Sequence, residues 1–244
     1  MMWRLRYAYW RGVNAAQLAA RYRTMCSANA ILSAPTLQIF AKEPIAGGVK
    51  TRLARTIGAE RATSVYTQLA ERTLAMAVAA RAAGIVGRVE LWCAPDADRP
   101  AFAAWRDRYG VELAAQTGDE LGARMRHALG SALARGAPAL LIGTDCPGLD
   151  PVCLARAAAA LADHDAVFVP AEDGGYVLVG LARPLDAFSG IAWSTAGVMA
   201  KTRSNLMAQR ATWRELPALW DVDRPQDLAR WEALASSPAA SFSQ

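Results

Sequence analysis

Ile142-Gly143-Thr144-Asp145-Cys146-Pro147-Gly148-Leu149-Asp150 follows the apolar run Pro138-Ala139-Leu140-Leu141, and its reading decides the fold. An apolar run of this length that stops at Gly-Thr-Asp and Pro-Gly reads as a buried strand. Asp145 then sits at the strand's C-terminal edge, where open α/β sheets bind their ligands. A second acidic signal, Asp221-Val222-Asp223-Arg224-Pro225, follows Leu216-Pro217-Ala218-Leu219-Trp220. Two carboxylates carried on strand ends can share one hard divalent cation whose shell is completed by phosphate oxygens. Taken singly, each Asp also suits a helix N-cap or a turn.

The rest of the chain bounds the function. A chain of 244 residues, 53% hydrophobic and 20% charged, has ample core for one α/β domain and is not disordered. No apolar run has the length of a membrane span. The four cysteines, Cys26, Cys93, Cys146 and Cys153, form no Cys-x-x-Cys pair and only two histidines exist, which argues against zinc. Isolated thiols point to a reducing cytosol, and Cys146 reads as a small packing residue. The formal charge of +5 resides in the leader: Arg4, Arg6, Arg11, Arg21 and Arg23 stand there without an acid, which leaves the remainder neutral. A neutral domain lacks the basic stripe of a nucleic-acid binder. Residues 1–33 read as a basic extension outside the fold, 34–235 as one domain, and 236–244 as a C-terminal tail.

Within that domain strands and helices alternate. Strands are expected at 36–41, 89–93, 111–115, the run entering Asp145, 166–170 and 176–181. Helices are expected at 58–83, 100–109, 121–135, 151–162 and 196–208, with a last one after Asp223. Such alternation indicates an α/β domain with a mainly parallel sheet and helices on both faces.

Three turns between these elements carry candidate chemistry. In Lys42-Glu43-Pro44-Ile45-Ala46-Gly47-Gly48-Val49-Lys50-Thr51-Arg52, the pair Gly47-Gly48 lets the backbone turn its N–H groups toward an anion. Lys42, Lys50 and Arg52 bring charge to the same loop, and lysine occurs elsewhere only at 201. Val49 stands where a P-loop needs Gly, and no Gly-x-Gly-x-x-Gly follows the first strand. The alternative is a solvated basic turn. Gly118-Asp119-Glu120-Leu121-Gly122 opens a helix, where acids suit the dipole without any function. Glu172-Asp173-Gly174-Gly175-Tyr176 places two carboxylates after a strand, as a general base or as a plain turn. Tyr176 and Trp193-Ser194-Thr195 are candidates for an acceptor pocket or for ordinary packing.

Taken in order, Lys50-Thr51-Arg52-Leu53, the Gly118–Gly122 turn, Gly143-Thr144-Asp145-Cys146-Pro147, Glu172 to Tyr176, Trp193-Ser194-Thr195 and Asp221-Val222-Asp223 closely resemble bacterial GT-A superfamily glycosyltransferases, some tied to arsenosugar biosynthesis. The resemblance spans about 36 to 232. The same skeleton is similar to phospholactate and molybdenum-cofactor guanylyltransferases, which share a basic Lys-Thr/Ser-Arg-Leu loop, an Asp-x-Pro and a terminal Asp-x-Pro-x-Asp-Leu. The resemblance implies a single GT-A, nucleotide-diphospho-sugar transferase-like domain. It implies Mg²⁺ or Mn²⁺ on Asp145 and Asp223, each two residues before a proline, with Asp150 and Asp221 as near neighbours. It also implies nucleotide contacts from Lys42, Gly47, Gly48, Lys50, Thr51, Arg52, Gly118, Leu121, Gly122 and Thr144.

Two transferase chemistries fit these residues. In a glycosyltransferase, Glu172 or Asp173 deprotonates the hydroxyl of a small acceptor while a nucleotide sugar gives up its nucleoside diphosphate. In a nucleotidyltransferase, a phosphorylated small molecule attacks the α-phosphorus of a nucleoside triphosphate, and Lys50 and Arg52 stabilise the transferring group. A nucleotide-binding protein without turnover is the third reading.

Overall fold

The apolar alternation of Leu37, Ile39 and Ala41 suits the first strand to the interior of the sheet, where a computed structural model of the chain places it. The structure describes residues 33–236 and, before them, Ala16, Gln17, Ala19, Ala20 and Tyr22. The elements run β1 (Thr36–Lys42), α1 (Thr51–Ile57), α2 (Ala59–Ala82), β2 (Arg88–Ala94), α3 (Pro100–Tyr109), β3 (Glu112–Ala115), α4 (Leu121–Ala134), β4 (Ala139–Ile142), α5 (Pro151–Ala160), β5 (Ala166–Pro170), β6 (Tyr176–Leu181), α6 (Val198–Ala208), β7 (Trp213–Glu215) and α7 (Pro225–Ser236).

The seven strands lie in the order β3-β2-β1-β4-β6-β5-β7. β1 pairs in parallel with both β2 and β4, Ile39 standing opposite Leu91 and Ile142. β6 alone runs against its neighbours. Its first residue, Tyr176, therefore lies at the same edge as the last residues of β4 and β5, so the 171–175 turn reaches the edge where Asp145 emerges. The chain leaves β1 toward β2 on one side and has β4 on the other, which makes the β1/β4 boundary the switch point of the sheet.

Strand alternation separates the two faces. Leu37, Ile39, Leu91, Leu140, Ile142 and Val169 join α2, α3 and α5 in the larger core cluster. Trp92, Leu141, Phe168, Val179 and Leu181 join α4 and α6 in the second. A third cluster ties α1, α2 and α7 together through Leu53, Leu69, Val222, Leu228 and Trp231. That cluster fixes the segment holding Asp221 and Asp223 against the helices that follow the basic loop.

Three sequence expectations change. Residues 51–83 form two helices rather than a loop and one helix, because Gly58 at φ 86° ends α1 and its carbonyl starts α2. β7 was not expected; it adds a short parallel edge strand beside β5. Of the basic extension, Ala19 and Tyr22 are half-buried against the larger core cluster. Apart from Ala16, Gln17 and Ala20, its other residues up to 32, and the tail from 237 on, lie outside the described residues.

Candidate active site

Backbone pairing delivers the acidic segments to one place. Beyond the end of β5, Ala171 bridges Leu219 in parallel. Leu219 N–H donates to the Pro170 carbonyl (2.9 Å) and Glu172 N–H to the Leu219 carbonyl (3.0 Å). Val222 N–H then donates to the Asp145 carbonyl (2.9 Å), drawing the 221–223 segment over the end of β4. Val222 itself is fully buried, so its neighbours on either side are held in place. The result is an open cavity of about 180 Å³ lined by Asp145, Asp173 and Asp221, with Tyr176 and Cys146 in its wall.

Lys50 approaches this cavity from below. It precedes α1 with φ 49°, a left-handed backbone that costs a non-glycine residue roughly 1 kcal/mol. Its side chain is only 4% exposed, and Nζ lies 2.7 Å from Asp145 Oδ1. The same ammonium donates to the Val222 carbonyl at 2.5 Å. A buried ammonium needs such partners, because desolvation without them would cost several kcal/mol. Lys50 is therefore a fixed cation beneath Asp145 rather than a free side chain reaching into solvent.

Among the described residues Asp221 has no ion-pair partner. Burial, then the nearby Asp173 and Asp145, push its carboxyl up to about 6, against an opposing pull from Lys50. This is the signature of carboxylates crowded without enough positive charge. Asp223 is placed differently. It does not line the cavity; its Oδ2 accepts from Arg52 at 2.6 Å, which raises the Arg52 pKa. Asp227 accepts from the N–H groups of Asp223 (3.1 Å) and Arg224 (2.7 Å), closing the entrance to α7.

The other expected residues divide between site and scaffold. Asp150 is a helix cap, its Oδ1 accepting from Cys153 N–H at 2.7 Å. Thr144 is buried beneath Asp145, with its hydroxyl 3.4 Å from Asp145 Oδ1. Glu172 is held by Arg230 at 3.0 Å, and that guanidinium also lies 4.2 Å over the Trp220 ring. Glu172 is thus turned to Arg230 and does not line the cavity, whereas Asp173 lines it and accepts only from Gly175 N–H among the described hydrogen bonds. In the basic loop, Gly47 does adopt φ 80°, but Gly48 N–H donates to the Ile45 carbonyl and is not available to an anion. Lys42 and Thr51 are exposed at the two ends of that loop.

Gly118 takes φ 132° where a Cβ would meet Arg124 N at 2.9 Å, so the turn into α4 requires glycine. A Cβ on Gly122 would meet the Trp193 ring at 2.9 Å, which gives this glycine a packing role. Leu121 between them is exposed, beside the edge of the sheet. Trp193 packs on Phe188, while Tyr176 meets the Phe168 ring edge-on at 5.3 Å.

Sequence reasoning missed three residues that hold the site's frame. Tyr66 of α2 accepts from Lys42 N–H (2.7 Å) and donates to the Lys42 carbonyl (2.8 Å), clamping the end of β1. Arg72, two turns on, donates to the Pro147 carbonyl through Nε (3.2 Å) and Nη2 (3.0 Å) and pins the loop after Asp145. Gln116 donates to the carbonyls of Ala41 and Trp92, joining the ends of β1 and β2. Tyr66 and Arg72 sit on the helical stripe of α2, where they read as core and solvent face.

Among the described residues, no three His, Cys, Asp or Glu side chains converge closely enough to enclose a metal ion. The donor set is nevertheless all carboxylate oxygen, which suits Mg²⁺ or Mn²⁺, and Mg²⁺ commonly takes one or two carboxylates with substrate phosphates. The residues fit a cation that arrives with a nucleotide better than one bound alone.

This strand order, with acidic loops gathered at its switch point, is that of the nucleotide-diphospho-sugar transferase-like, GT-A type of α/β domain. The chain belongs to the bacterial family described as "Uncharacterized protein conserved in bacteria (DUF2064)", whose profile matches residues 74–195. It is 30% identical to a Desulfovibrio desulfuricans G20 protein of known structure named "putative nucleotide-diphospho-sugar transferase", with a TM-score of 0.75 over 85% of this chain and 90% of that one. Two more distant structures share the fold. One is the 4-diphosphocytidyl-2C-methyl-D-erythritol synthase of Anaerococcus prevotii, at 11% identity and TM-score 0.55 over 83% of this chain and 98% of that one. The other is a nucleotidyl transferase of Methanothermobacter, at 13% identity and TM-score 0.55 over the same shares. No curated protein matches the chain in sequence. Among the described residues no helix is long and apolar enough to cross a membrane.

Proposed function

We propose that this protein is a divalent-metal-dependent glycosyltransferase that uses a nucleotide-sugar donor. The observation that carries the reading is the meeting of Asp145, Asp173 and Asp221 in one cavity at the switch point, with Lys50 beneath Asp145. The name of the Desulfovibrio relative points the same way.

Asp145 and Asp221 are the side chains that would hold Mg²⁺ or Mn²⁺; Asp223 would first have to leave Arg52. Such a cation neutralises the diphosphate of a departing nucleotide. Lys50 holds Asp145 in a fixed direction through the 2.7 Å ion pair. Lys42, exposed at the end of β1, would meet donor phosphates. Asp173 takes the proton of the acceptor hydroxyl as its oxygen forms a bond to the anomeric carbon. The bond from that carbon to the phosphate oxygen breaks, and the nucleoside diphosphate leaves with the electron pair. The nucleotidyl alternative leaned on a free basic loop, but Lys50 and Arg52 are both engaged by carboxylates.

A thermal-shift panel of sugar nucleotides and nucleoside triphosphates, each with Mn²⁺, tests the reading. A nucleotide sugar at about a hundred times its dissociation constant should stabilise the protein by about 2.7 kcal/mol. Incubation with acceptors should then release nucleoside diphosphate. Stabilisation by triphosphates alone, with pyrophosphate as the product, would replace this reading with nucleotidyl transfer.

A further inference from the structure

Resting on the transferase reading, we infer that the acceptor is a hydroxyl compound without phosphate or carboxylate groups, either uncharged or cationic. The charge around the site is divided across the sheet. Lys42, Lys50 and Arg52 follow β1, whereas Glu172, Asp173 and Asp221 follow β5 and β7. The cavity on the β4–β6–β5 side is lined by three carboxylates and, among the described residues, by no lysine or arginine.

Three of the cations around it are already committed. Lys50 is buried on Asp145 at 2.7 Å, Arg52 is on Asp223 at 2.6 Å, and Arg230 is on Glu172 at 3.0 Å while stacked on Trp220. A phosphate-bearing acceptor is normally recognised by an unpaired arginine or lysine in fork or point contact. To obtain one of these three it would have to break an ion pair and stand against Asp173, the carboxylate of the cavity that the metal does not take. Tyr176 and the backbone of Gly175 offer instead a small aromatic and polar wall beside Asp173. That wall suits a hydroxyl group carried on a neutral ring or an amino alcohol. Asp173 then serves twice: it accepts the hydroxyl proton, and its charge excludes anions.

Matched acceptors provide the test. The full chain with Mn²⁺ and its stabilising nucleotide sugar is given a polyol, the amino derivative of that polyol, and its phosphorylated and carboxylated derivatives. Nucleoside diphosphate release is followed at low and high salt. The polyol or its amine should exceed both anionic derivatives in kcat/KM by at least about tenfold, since like charges in an interface are strongly disfavoured. Any rate with the amine should fall as salt rises, and the polyol rate should hold. Preference for the phosphorylated or carboxylated derivative would overturn the inference while leaving the transferase reading intact. Failure of every nucleotide sugar to bind would overturn the transferase reading, and this inference with it.

Discussion

Lys50 Nζ and Asp145 Oδ1 stand 2.7 Å apart, with the lysine side chain buried and the aspartate open to the cavity. The pair joins the loop after β1 to the loop after β4 across the switch point, and so links the two halves of the site. Lys50→Ala removes this contact and the bond to the Val222 carbonyl, and should cost about 1–3 kcal/mol of stability. Lys50→Gly should retain about 1 kcal/mol more than Lys50→Ala, because φ 49° suits glycine. Urea unfolding of the two variants measures both numbers; equal losses would show that the backbone strain is not real.

Gly174 and Ala196 make a second dependence. A Cβ on Gly174 would lie 2.4 Å from the Ala196 carbonyl oxygen, on a backbone at φ 94°. Gly174→Ala should therefore displace the turn bearing Asp173, with a loss of roughly 2–4 kcal/mol. Gly47→Ala, which meets nothing within 4 Å at φ 80°, should lose only about 1 kcal/mol. A thermal melt of each variant distinguishes a steric clash from simple conformational strain.

Stability at low pH should report Asp165. Its carboxylate accepts from Arg183 (2.6 and 3.1 Å) and from Thr212 N–H (2.8 Å), tying the starts of β5 and β7 to the end of β6. The Arg183 bond, followed by the Thr212 backbone, holds its pKa down to about 2, against an ordinary 3.8. The folded form binds fewer protons than the unfolded one in that interval. The stabilisation is thus complete above about pH 4 and lost as pH falls toward about 2. Asp165→Asn should lose about 1 kcal/mol at neutral pH, an ion pair at the surface being partly screened. The gap between variant and wild type should close near pH 2. A gap independent of pH would contradict the assignment.

Cys146 should be slow to alkylate despite lining the cavity, because burial pushes its thiol up to about 11. Little thiolate exists at neutral pH. Reaction with iodoacetamide should accelerate with pH well above that of a free thiol. Rapid labelling of the folded protein at pH 7 would contradict this.

Much of the fold was legible because strand alternation and turn residues are local signals. Asp145 could be placed at a strand end from Ala139–Ile142 and the Gly-Thr-Asp that follows. β7 escaped because Trp213, Arg214 and Glu215 form a three-residue edge strand with a single apolar residue, too short for an alternating pattern. The break at Gly58 escaped because Leu53, Ala62 and Val65 keep one apolar stripe across it. The direction of β6 is a matter of chain crossing, which its apolar residues do not encode. Asp221 and Asp223 look equivalent two positions apart on either side of Val222. Only Arg52 and Asp227, reached through tertiary packing, draw Asp223 aside and leave Asp221 facing Asp145 and Asp173. The pairing of Lys50 with Asp145 is likewise invisible to any local pattern, since the 94 residues between them and their packing intervene.

Titration calorimetry of a stabilising nucleotide sugar, with and without Mn²⁺, against wild type and the variants Asp145→Asn, Asp221→Asn and Asp223→Asn tests the central claim most directly. Wild type should bind only with Mn²⁺. Asp145→Asn and Asp221→Asn should each weaken binding by about tenfold or more, the scale on which even outer-shell partners of a metal are felt. Asp223→Asn should bind close to wild type, because its carboxylate serves Arg52. Metal-independent binding, or wild-type affinity in both Asp145→Asn and Asp221→Asn, would contradict the account.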